Sequence, residues 1–239
     1  MRIAVLSDIH GNKHALEAVL ADIDRVGPDV VFCLGDLVGY GAFPNEVIEL
    51  IRSRGIPTVM GNYDDGVGFE RSDCGCAYVT PEARALGDLS FAWTKKHTSE
   101  DNKAFLRGLF RYIRVESRGW RIALVHGSPR KINEYVYADR PVKNLERIAE
   151  SAQADILVFG HTHLPYDKKV GGTTLVNVGS AGKPKDGDPR AGYAIIHIEE
   201  AGAQVEVRRV DYDVDQAARA IRLSDLPDHF ADLLESGTG

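Results

Sequence analysis

Residues 1–12 read MRIAVLSDIHGN, a short apolar run followed by a cluster of polar residues. The run Ile3 to Leu6 is β-prone and predicts a buried strand. Apolar residues then recur at helical spacing from Ala15 to Ile23 and predict a helix, which ends at the Gly-Pro pair that follows. Asp8 and His10 lie between the two elements, so the chain opens with a strand, a polar turn and a helix.

This alternation continues through the first two thirds of the chain. Further strands are predicted over Val30 to Leu34, Pro57 to Met60, Ile122 to Val125 and Ile156 to Phe159. Helices are predicted around Val47 to Ile51, Pro81 to His97, Glu100 to Arg107 and Val142 to Ala152. The rhythm implies parallel pairing through right-handed crossovers. The segment Asp65 to Ala77 fits neither pattern and is expected to be a loop or insertion.

The last third of the chain changes character. Strands separated by Gly-rich turns are predicted over Thr173 to Val178, Tyr193 to Ile198 and Val205 to Val210, and the alternation in the third is typical of an antiparallel strand. A closing helix, Val214 to Leu223, precedes a polar tail. Because no linker divides the chain, we expect one domain over residues 1–223, an insertion at about 65–110 and a tail at 224–239.

Composition excludes several classes of protein. With 44% hydrophobic and 27% charged residues, the 239-residue chain has the make-up of a globular protein and not of a disordered one. Its net charge of −6, without a long basic run, argues against binding to duplex DNA or anionic membranes. No apolar stretch approaches a membrane span. The odd number of cysteines, Cys33, Cys74 and Cys76, favours the reducing cytoplasm, with loop cysteines preferred over a redox pair or metal site at Cys74-Gly75-Cys76.

Polar side chains follow five of the predicted strands directly. In open α/β sheets ligands bind beyond the carboxyl ends of the strands, so these residues are expected to converge. They offer only oxygen and imidazole nitrogen donors: Asp8, His10, Asp36, Asn62, His126, His161 and His163.

Seven donors exceed what one metal ion needs. Zinc takes about four ligands and magnesium about six with several waters, so the set suits two ions sharing a bridging carboxylate. The pairs Asp8/His10 and His161/His163 have i, i+2 spacing, which in extended chain would project both side chains to the same side. The plainer interpretation is that isolated Asp and His residues cap helices and satisfy loops. The occurrence of all seven donor residues at strand ends argues against this interpretation.

Together the motifs Asp8-Ile9-His10, Gly35-Asp36, Gly61-Asn62, His126-Gly127 and Gly160-His161-Thr162-His163 resemble the scattered signature of the calcineurin-like metallophosphoesterases. The resemblance spans residue 1 to about 210. It is greatest to the smaller bacterial and archaeal phosphodiesterase-like members.

The resemblance implies a fold, a metal centre and a reaction. The fold would be α/β, a four-layer α-β-β-α sandwich of two mixed sheets flanked by helices. One metal would be held by Asp8, His10, Asp36 and His163, and the other by Asp36, Asn62, His126 and His161, with Asp36 bridging. A bridging hydroxide, whose pKa metal binding lowers toward roughly 7, would attack phosphorus in line. Manganese, iron and zinc all suit such donors.

Two further residues are candidates for contact with the substrate. Many relatives carry a histidine after the asparagine, implied to protonate the leaving group, and here that position is Tyr63. A phenol, with a reference pKa of about 10, is poorly matched to this task, so Tyr63 is either a catalytic donor or part of the cleft wall. Asp64 would lose its usual partner. Arg130, close to His126 in sequence, is a candidate phosphate contact alongside Asn62.

The leading hypothesis is therefore a cytoplasmic dinuclear phosphoesterase. Its substrates would be phosphodiesters, activated phosphomonoesters or nucleotide polyphosphates. A phosphoprotein phosphatase of the same fold is one alternative, because the same metal chemistry serves both. A non-catalytic scaffold is another, although such relatives would be expected to lose ligands. The sequence leaves the substrate and the oligomeric state open.

Overall fold

The computed structural model describes residues 1–200 and 202–239, which form two β-sheets. The first sheet has four strands in the order β2-β1-β8-β9, formed by Val30–Cys33, Arg2–Leu6, Ala191–Glu199 and Gly202–Val210. The second has five in the order β3-β4-β5-β7-β6, formed by Ile113–Ser117, Trp120–Leu124, Ile156–Phe159, Thr173–Asn177 and Tyr166–Val170. Both sheets are mixed: β1 pairs parallel with β2, and β5 pairs parallel with both β4 and β7, whereas the remaining pairings are antiparallel.

Eight helices accompany the sheets in the described part of the chain. They are α1 (Lys13–Val26), α2 (Pro44–Ser53), α3 (Asn62–Gly68), α4 (Pro81–His97), α5 (Glu100–Arg107), α6 (Val142–Ala152), α7 (Val214–Arg222) and α8 (His229–Ser236). Over residues 1–200 and 202–239, none is both long and apolar enough to cross a membrane.

The two sheets pack face to face, and the helices cover their outer faces. Side chains alternate along β1, so that Ile3 and Val5 enter the core between the sheets while Ala4 and Leu6 pack on the opposite face. That central core also takes Ile122 and Leu124 of β4, Ile156 and Val158 of β5 and Ile196 of β8. Clusters containing residues of α1 and of α6 form the two outer layers. The expected four-layer sandwich of two mixed sheets is confirmed.

Some elements differ from the expectation. The segment Pro57 to Met60 is not a strand: Thr58 and Val59 make only isolated bridges, to Cys33 and Phe110. The strands β3 and β6, whose half-exposed sequences carry Arg, Glu, Asp and Lys, were not predicted. The expected loop from Asp65 begins inside α3, since that helix runs to Gly68.

The segment 224–239, expected to be a polar tail, contains a packed helix. Phe230, Ala231 and Leu234 of α8 are buried and join Ala218 and Ile221 of α7 in one apolar cluster. The helix is short and most of its other residues are polar, so the composition of this segment does not reveal its apolar face.

Candidate metal centre

The structure gathers six of the predicted ligands into two groups of donor atoms. Asp8, His10 and His163 form the first group, and Asp36, His126 and His161 form the second. In the first, the Nε2 atoms of His10 and His163 lie 3.2 Å apart. In the second, Nε2 of His126 lies 3.2 Å from Nδ1 of His161. All six side chains are buried.

Asp36 connects the two groups through one atom. Its Oδ2 lies 3.7 Å from Nε2 of His10 in the first group and 3.4 Å from Nε2 of His126 in the second. Asn62, the seventh predicted ligand, joins the second group, because its Oδ1 lies 3.1 Å from the same nitrogen of His126. One carboxylate oxygen is therefore within reach of both clusters of histidines.

Each carboxylate keeps one oxygen free for the centre. Oδ2 of Asp8 accepts a hydrogen bond from the backbone N–H of His161 at 2.9 Å, while its buried Oδ1 has no hydrogen-bond donor. Oδ1 of Asp36 accepts from the backbone N–H of Tyr63 at 2.8 Å, which leaves Oδ2 between the histidines. An unpaired buried carboxylate oxygen is costly unless a cation binds it. These atoms therefore fit divalent metal ions.

The distal ring nitrogens of three histidines contact carbonyl oxygens. Nδ1 of His10 lies 3.0 Å from O of Val38, and Nδ1 of His126 lies 2.8 Å from O of Leu34. Nδ1 of His163 contacts O of Lys183 in the same way. A carbonyl can only accept, so each Nδ1 carries a proton, and the neutral form of each ring presents the lone pair of Nε2 to the centre.

Five of the seven predicted ligands have left-handed backbone conformations. Asp8, His10, Asp36, His161 and His163 have φ between 51° and 64°. The premise that the i, i+2 pairs project from extended chain is therefore wrong, and His161 and His163 enter different groups. Non-glycine residues of this kind cost about 1 to 3 kcal/mol each and concentrate at functional sites.

Glycines let the loops approach each other closely. A Cβ on Gly61 would lie 2.1 Å from Oδ1 of Asp36, and one on Gly160 would lie 2.4 Å from Oδ2 of Asp8. Both positions exclude any side chain, because the carboxylates cannot move without leaving the centre.

Asp64, expected to lose its partner, instead organises the loop that carries Asp36. Its Oδ2 accepts from the backbone N–H groups of Asp36 and Gly61 at 2.8 and 2.9 Å, and its Oδ1 accepts from Leu37 at 2.9 Å. Burial and the neighbouring Asp36 nevertheless raise the pKa of Asp64 to about 7. Sequence reasoning missed this role because the contacts join two loops distant in sequence.

The histidines experience opposing electrostatic effects. Burial lowers the pKa of His10 and of His161 to about 3, against the attraction of Asp36 and Asp8. Burial also opposes protonation of His126, but the Asp36 carboxylate beside it raises its pKa to about 9. The neutral imidazole is the form that binds metal. His10 and His161 are thus ready as ligands, while His126 gives up a proton when a cation binds.

Tyr63 lies beneath the centre in the apolar core. Its side chain is 1% exposed and packs edge-on against His10, with ring centres 5.5 Å apart, and against Tyr40 and Phe91. Its hydroxyl has no hydrogen-bond partner. Burial raises the pKa of Tyr63 well above its usual value, so the phenol stays protonated. Its assignment as a catalytic residue stays a prediction, and this surrounding favours a packing role.

Arg130 is paired within its own loop. Its Nε lies 3.2 Å from Oε2 of Glu134, and its Nη2 contacts Oε1 of the same side chain. Glu134 also binds Arg140. A contact between Arg130 and a phosphate stays a prediction that requires this pair to open.

The cysteine pair lies against a predicted ligand. Cys74 and Cys76 are joined by a disulfide, which differs from the expectation of loop cysteines without chemistry. Nδ2 of Asn62 donates to O of Cys74 at 3.0 Å and approaches Sγ of Cys76 at 3.3 Å. The Cys-x-Cys spacing was the available signal, but nothing in it indicates contact with Asn62.

Comparison with known proteins agrees with this geometry. The sequence profile of the calcineurin-like phosphoesterase superfamily domain matches residues 1–201. The chain belongs to this family. It is 36% identical to an uncharacterized protein of Methanocaldococcus jannaschii, over 98% of both chains, and 26% identical to a probable metallophosphoesterase of Methanothermobacter thermautotrophicus, over 86% of this chain and 91% of that one. A crystal structure of a metallophosphoesterase from Sphaerobacter thermophilus superposes with a TM-score of 0.78 at 32% identity, covering 99% of this chain and 100% of that one. As a family member, the chain is a metal-dependent phosphoesterase by class.

Proposed function

We propose that this protein is a dinuclear metal-dependent phosphoesterase. The observation that carries the proposal is the position of Oδ2 of Asp36, which lies within 3.7 Å of Nε2 of His10 and within 3.4 Å of Nε2 of His126. A single carboxylate oxygen between two clusters of donors is the arrangement expected of a bridging ligand. Asp8, His10 and His163 would complete one site, and Asn62, His126 and His161 the other.

Bound divalent ions would supply a water acidic enough to act as a nucleophile near neutral pH and positive charge for the phosphoryl oxygens. The chain's own residues hold the donors in place. The carbonyls of Val38 and Leu34 fix the rings of His10 and His126, and the backbone N–H groups of His161 and Tyr63 orient the two carboxylates. Burial of these donors excludes bulk water and strengthens their interaction with a charged ester.

The substrate class follows from charge. Two divalent ions and two carboxylates leave about two positive charges, which favour an anionic ester. We propose small phosphodiesters, activated phosphomonoesters or nucleotide polyphosphates as substrates, manganese, iron or zinc as the metal, and a cytoplasmic location without membrane or duplex-DNA partners. A phosphoprotein phosphatase remains the enzymatic alternative. The scaffold alternative is disfavoured, because all seven donor side chains converge.

Metal removal and Asp36→Asn test the proposal. Protein dialysed against EDTA should lose turnover of aryl diesters and recover it with Mn²⁺, Zn²⁺ or Fe²⁺, at about two ions per chain by elemental analysis. Asp36→Asn should reduce kcat about 100-fold or more, because it weakens both sites. Asp167→Asn removes an exposed carboxylate on β6 and should change nothing. Full metal content and normal turnover in Asp36→Asn would refute a bridging role, and phosphopeptide turnover without diester turnover would favour the phosphatase.

A further inference from the structure

Lys183 is a buried lysine without an acidic partner. Its side chain is 7% exposed, and no carboxylate oxygen of residues 1–200 or 202–239 lies within 4.0 Å of its Nζ. Lys103 is buried to a similar degree, but its Nζ contacts Glu70 at 3.0 Å and Glu100 at 2.8 Å. Lysine is almost never buried unless it is paired. Lys183 therefore has no counter-charge within the described residues, and burial lowers its pKa well below the usual lysine value.

The contact that Lys183 does make is weak. Its Nζ lies 4.5 Å from the centre of the Tyr40 ring. A single cation–π contact offsets only part of the cost of burying an ammonium group. A bound anion would supply the counter-charge that the chain does not provide.

The loop that carries Lys183 is tied to the candidate metal centre. Its carbonyl oxygen contacts Nδ1 of His163, and its backbone N–H donates to Oγ of Ser180 at 2.8 Å. The hydroxyl of Ser180 in turn donates to O of Asp8 at 2.7 Å. Asp8 and His163 of the first metal group are therefore both hydrogen-bonded to the loop that carries Lys183.

A narrow pocket of about 20 Å³ is lined by both Lys183 and the predicted ligand His10. Asn12 also lines it, together with the apolar residues Ile221, Phe230 and Leu234 of α7 and α8. That volume admits about one oxygen atom of a ligand. The apolar wall lowers the local dielectric constant, which strengthens any charge pair formed there.

A second unpaired lysine belongs to the same loop. Lys185 is exposed and has no hydrogen bond or ion pair within the described residues. It lies two residues along the chain from Lys183, in the loop whose carbonyl oxygen at Lys183 contacts Nδ1 of His163. An anion bound at this loop would pair with the Lys185 ammonium and would favour the protonated form of Lys183.

We propose that Lys183 and Lys185 form a second phosphate subsite beside the metal centre, so that the preferred substrates carry a further phosphate next to the scissile one. This inference rests on the proposed function and narrows it. A phosphodiester offers about one negative charge and leaves the lysines unpaired, whereas a phosphoanhydride such as a nucleoside polyphosphate offers about three. Favoured substrates are therefore phosphoanhydrides.

Binding of non-hydrolysable probes tests the subsite without turnover. Mn²⁺-loaded protein is titrated calorimetrically with methylenediphosphonate, which has two phosphonate groups, and with methylphosphonate, which has one. Lys183→Met and Lys185→Met should each lower the affinity for methylenediphosphonate about tenfold, the loss expected for one charge-assisted hydrogen bond. The affinity for methylphosphonate should fall less than threefold. Lys143→Met on the exposed face of α6 makes the same change in net charge and should alter neither. Chelation of Mn²⁺ by the probe is common to all variants.

Three readouts separate the outcomes. Elemental analysis must show unchanged metal content, because a binding loss that follows lost metal would overturn the subsite. The ratio of kcat/KM for a nucleoside triphosphate to that for an aryl diester should fall about tenfold in both variants. If Lys183→Met fails to fold, Lys185→Met carries the same test. An affinity for methylenediphosphonate that is unchanged in Lys183→Met and Lys185→Met would overturn the inference while leaving the phosphoesterase intact. A wild type that hydrolyses no ester with any metal would instead overturn the proposed function, and the claim about preferred substrates with it.

Discussion

Tyr63 shows how one side chain can follow a predicted ligand in sequence and still lie outside its chemistry. Its backbone N–H donates to Oδ1 of Asp36, so the main chain at this position serves the centre whatever the side chain does. Its ring packs among Tyr40, Phe91 and His10 in the core. The hydroxyl is buried among these neighbours without a hydrogen-bond partner. Its removal leaves the packing in place.

Tyr63→Phe is therefore expected to keep turnover within about threefold of wild type and to leave stability unchanged or raise it by up to about 1 kcal/mol, because an unpaired buried hydroxyl is costly. A series of esters with graded leaving-group pKa measures whether the hydroxyl assists departure. Tyr63→His provides the comparison: it should flatten the dependence on leaving-group acidity only if its imidazole reaches the substrate. A tenfold loss in Tyr63→Phe confined to poor leaving groups would establish Tyr63 as the proton donor.

The candidate site was predictable from sequence where it depends on strand ends. His126 follows β4 and His161 follows β5, so the topology delivers both to one edge. Asp64 was not predictable, because its carboxylate joins Gly61 to the loop at Asp36 and Leu37. The burial of Lys183 was not predictable either, since no pattern in the sequence indicates that residues of α7 and α8 lie beside it.

At the scale of elements, a buried carboxylate ties the first helix to the sheet. Oδ2 of Asp22 on α1 accepts from the hydroxyl of Tyr193 on β8 at 2.6 Å and from Nε of Arg208 on β9 at 2.9 Å. Arg25 binds its other oxygen. Burial would raise the pKa of Asp22, but these donors lower it to about 2. The ionised carboxylate therefore stabilises the fold at every pH at which Asp22 is also ionised in the unfolded chain.

The pH dependence of stability follows from that shift. An aspartate whose pKa is lowered from 3.8 to about 2 adds up to about 2 kcal/mol to the unfolding free energy above pH 4. That contribution is lost as the pH falls from about 4 to 2. Asp22→Asn should thus be less stable than wild type at pH 7 in urea titrations of metal-free protein, and the difference should vanish near pH 2. Asp24→Asn, at an exposed ion pair on the same helix, is the control and should show little effect. A pH-independent difference for Asp22→Asn would contradict the assignment.

The loop with the Cys74–Cys76 disulfide gives a second prediction at this scale. It holds the amide of Asn62 through O of Cys74 and Sγ of Cys76. Replacing both cysteines with serine should lower the metal affinity of the site that contains Asn62 about tenfold, because the hydrogen bonds that orient this ligand are weakened. Metal titration of the double variant measures this, with Ser72→Ala in the same loop as control. Unchanged affinity would show that Asn62 is oriented without the loop.

The segment Pro57 to Met60 explains where element prediction fails. Its sequence is apolar and leads into Asn62, yet each of its two bridges spans a single residue, because Phe110 and Cys33 approach from different sides. Sequence patterns report the burial of such a segment but not how many ladder hydrogen bonds it forms. Asn62 reaches its place all the same, since it opens α3 directly after the bridges.

At the scale of the molecule, the two C-terminal helices lie beyond the family match yet shape the site. The profile of the superfamily ends at residue 201, whereas α7 and α8 occupy residues 214–236. Their apolar faces pack against the wall of the pocket that holds Lys183, and Phe230 lies with its ring centre 5.3 Å from that of Tyr40. The shared fold therefore supplies the donors, and this extension supplies the shielding around the lysine.

Phe230→Ala tests that extension. The side chain is 5% exposed, so its removal should cost about 3 to 5 kcal/mol of unfolding free energy by leaving a cavity between α8 and Tyr40. Leu223→Ala, at a residue 77% exposed after α7, should cost no more than about 0.5 kcal/mol. Because the cavity admits water beside Lys183, Phe230→Ala should also weaken methylenediphosphonate more than methylphosphonate at a temperature where it remains folded. A variant that unfolds at the wild-type urea concentration would mean that α8 does not pack on the pocket, and the shielding of Lys183 would then need another source.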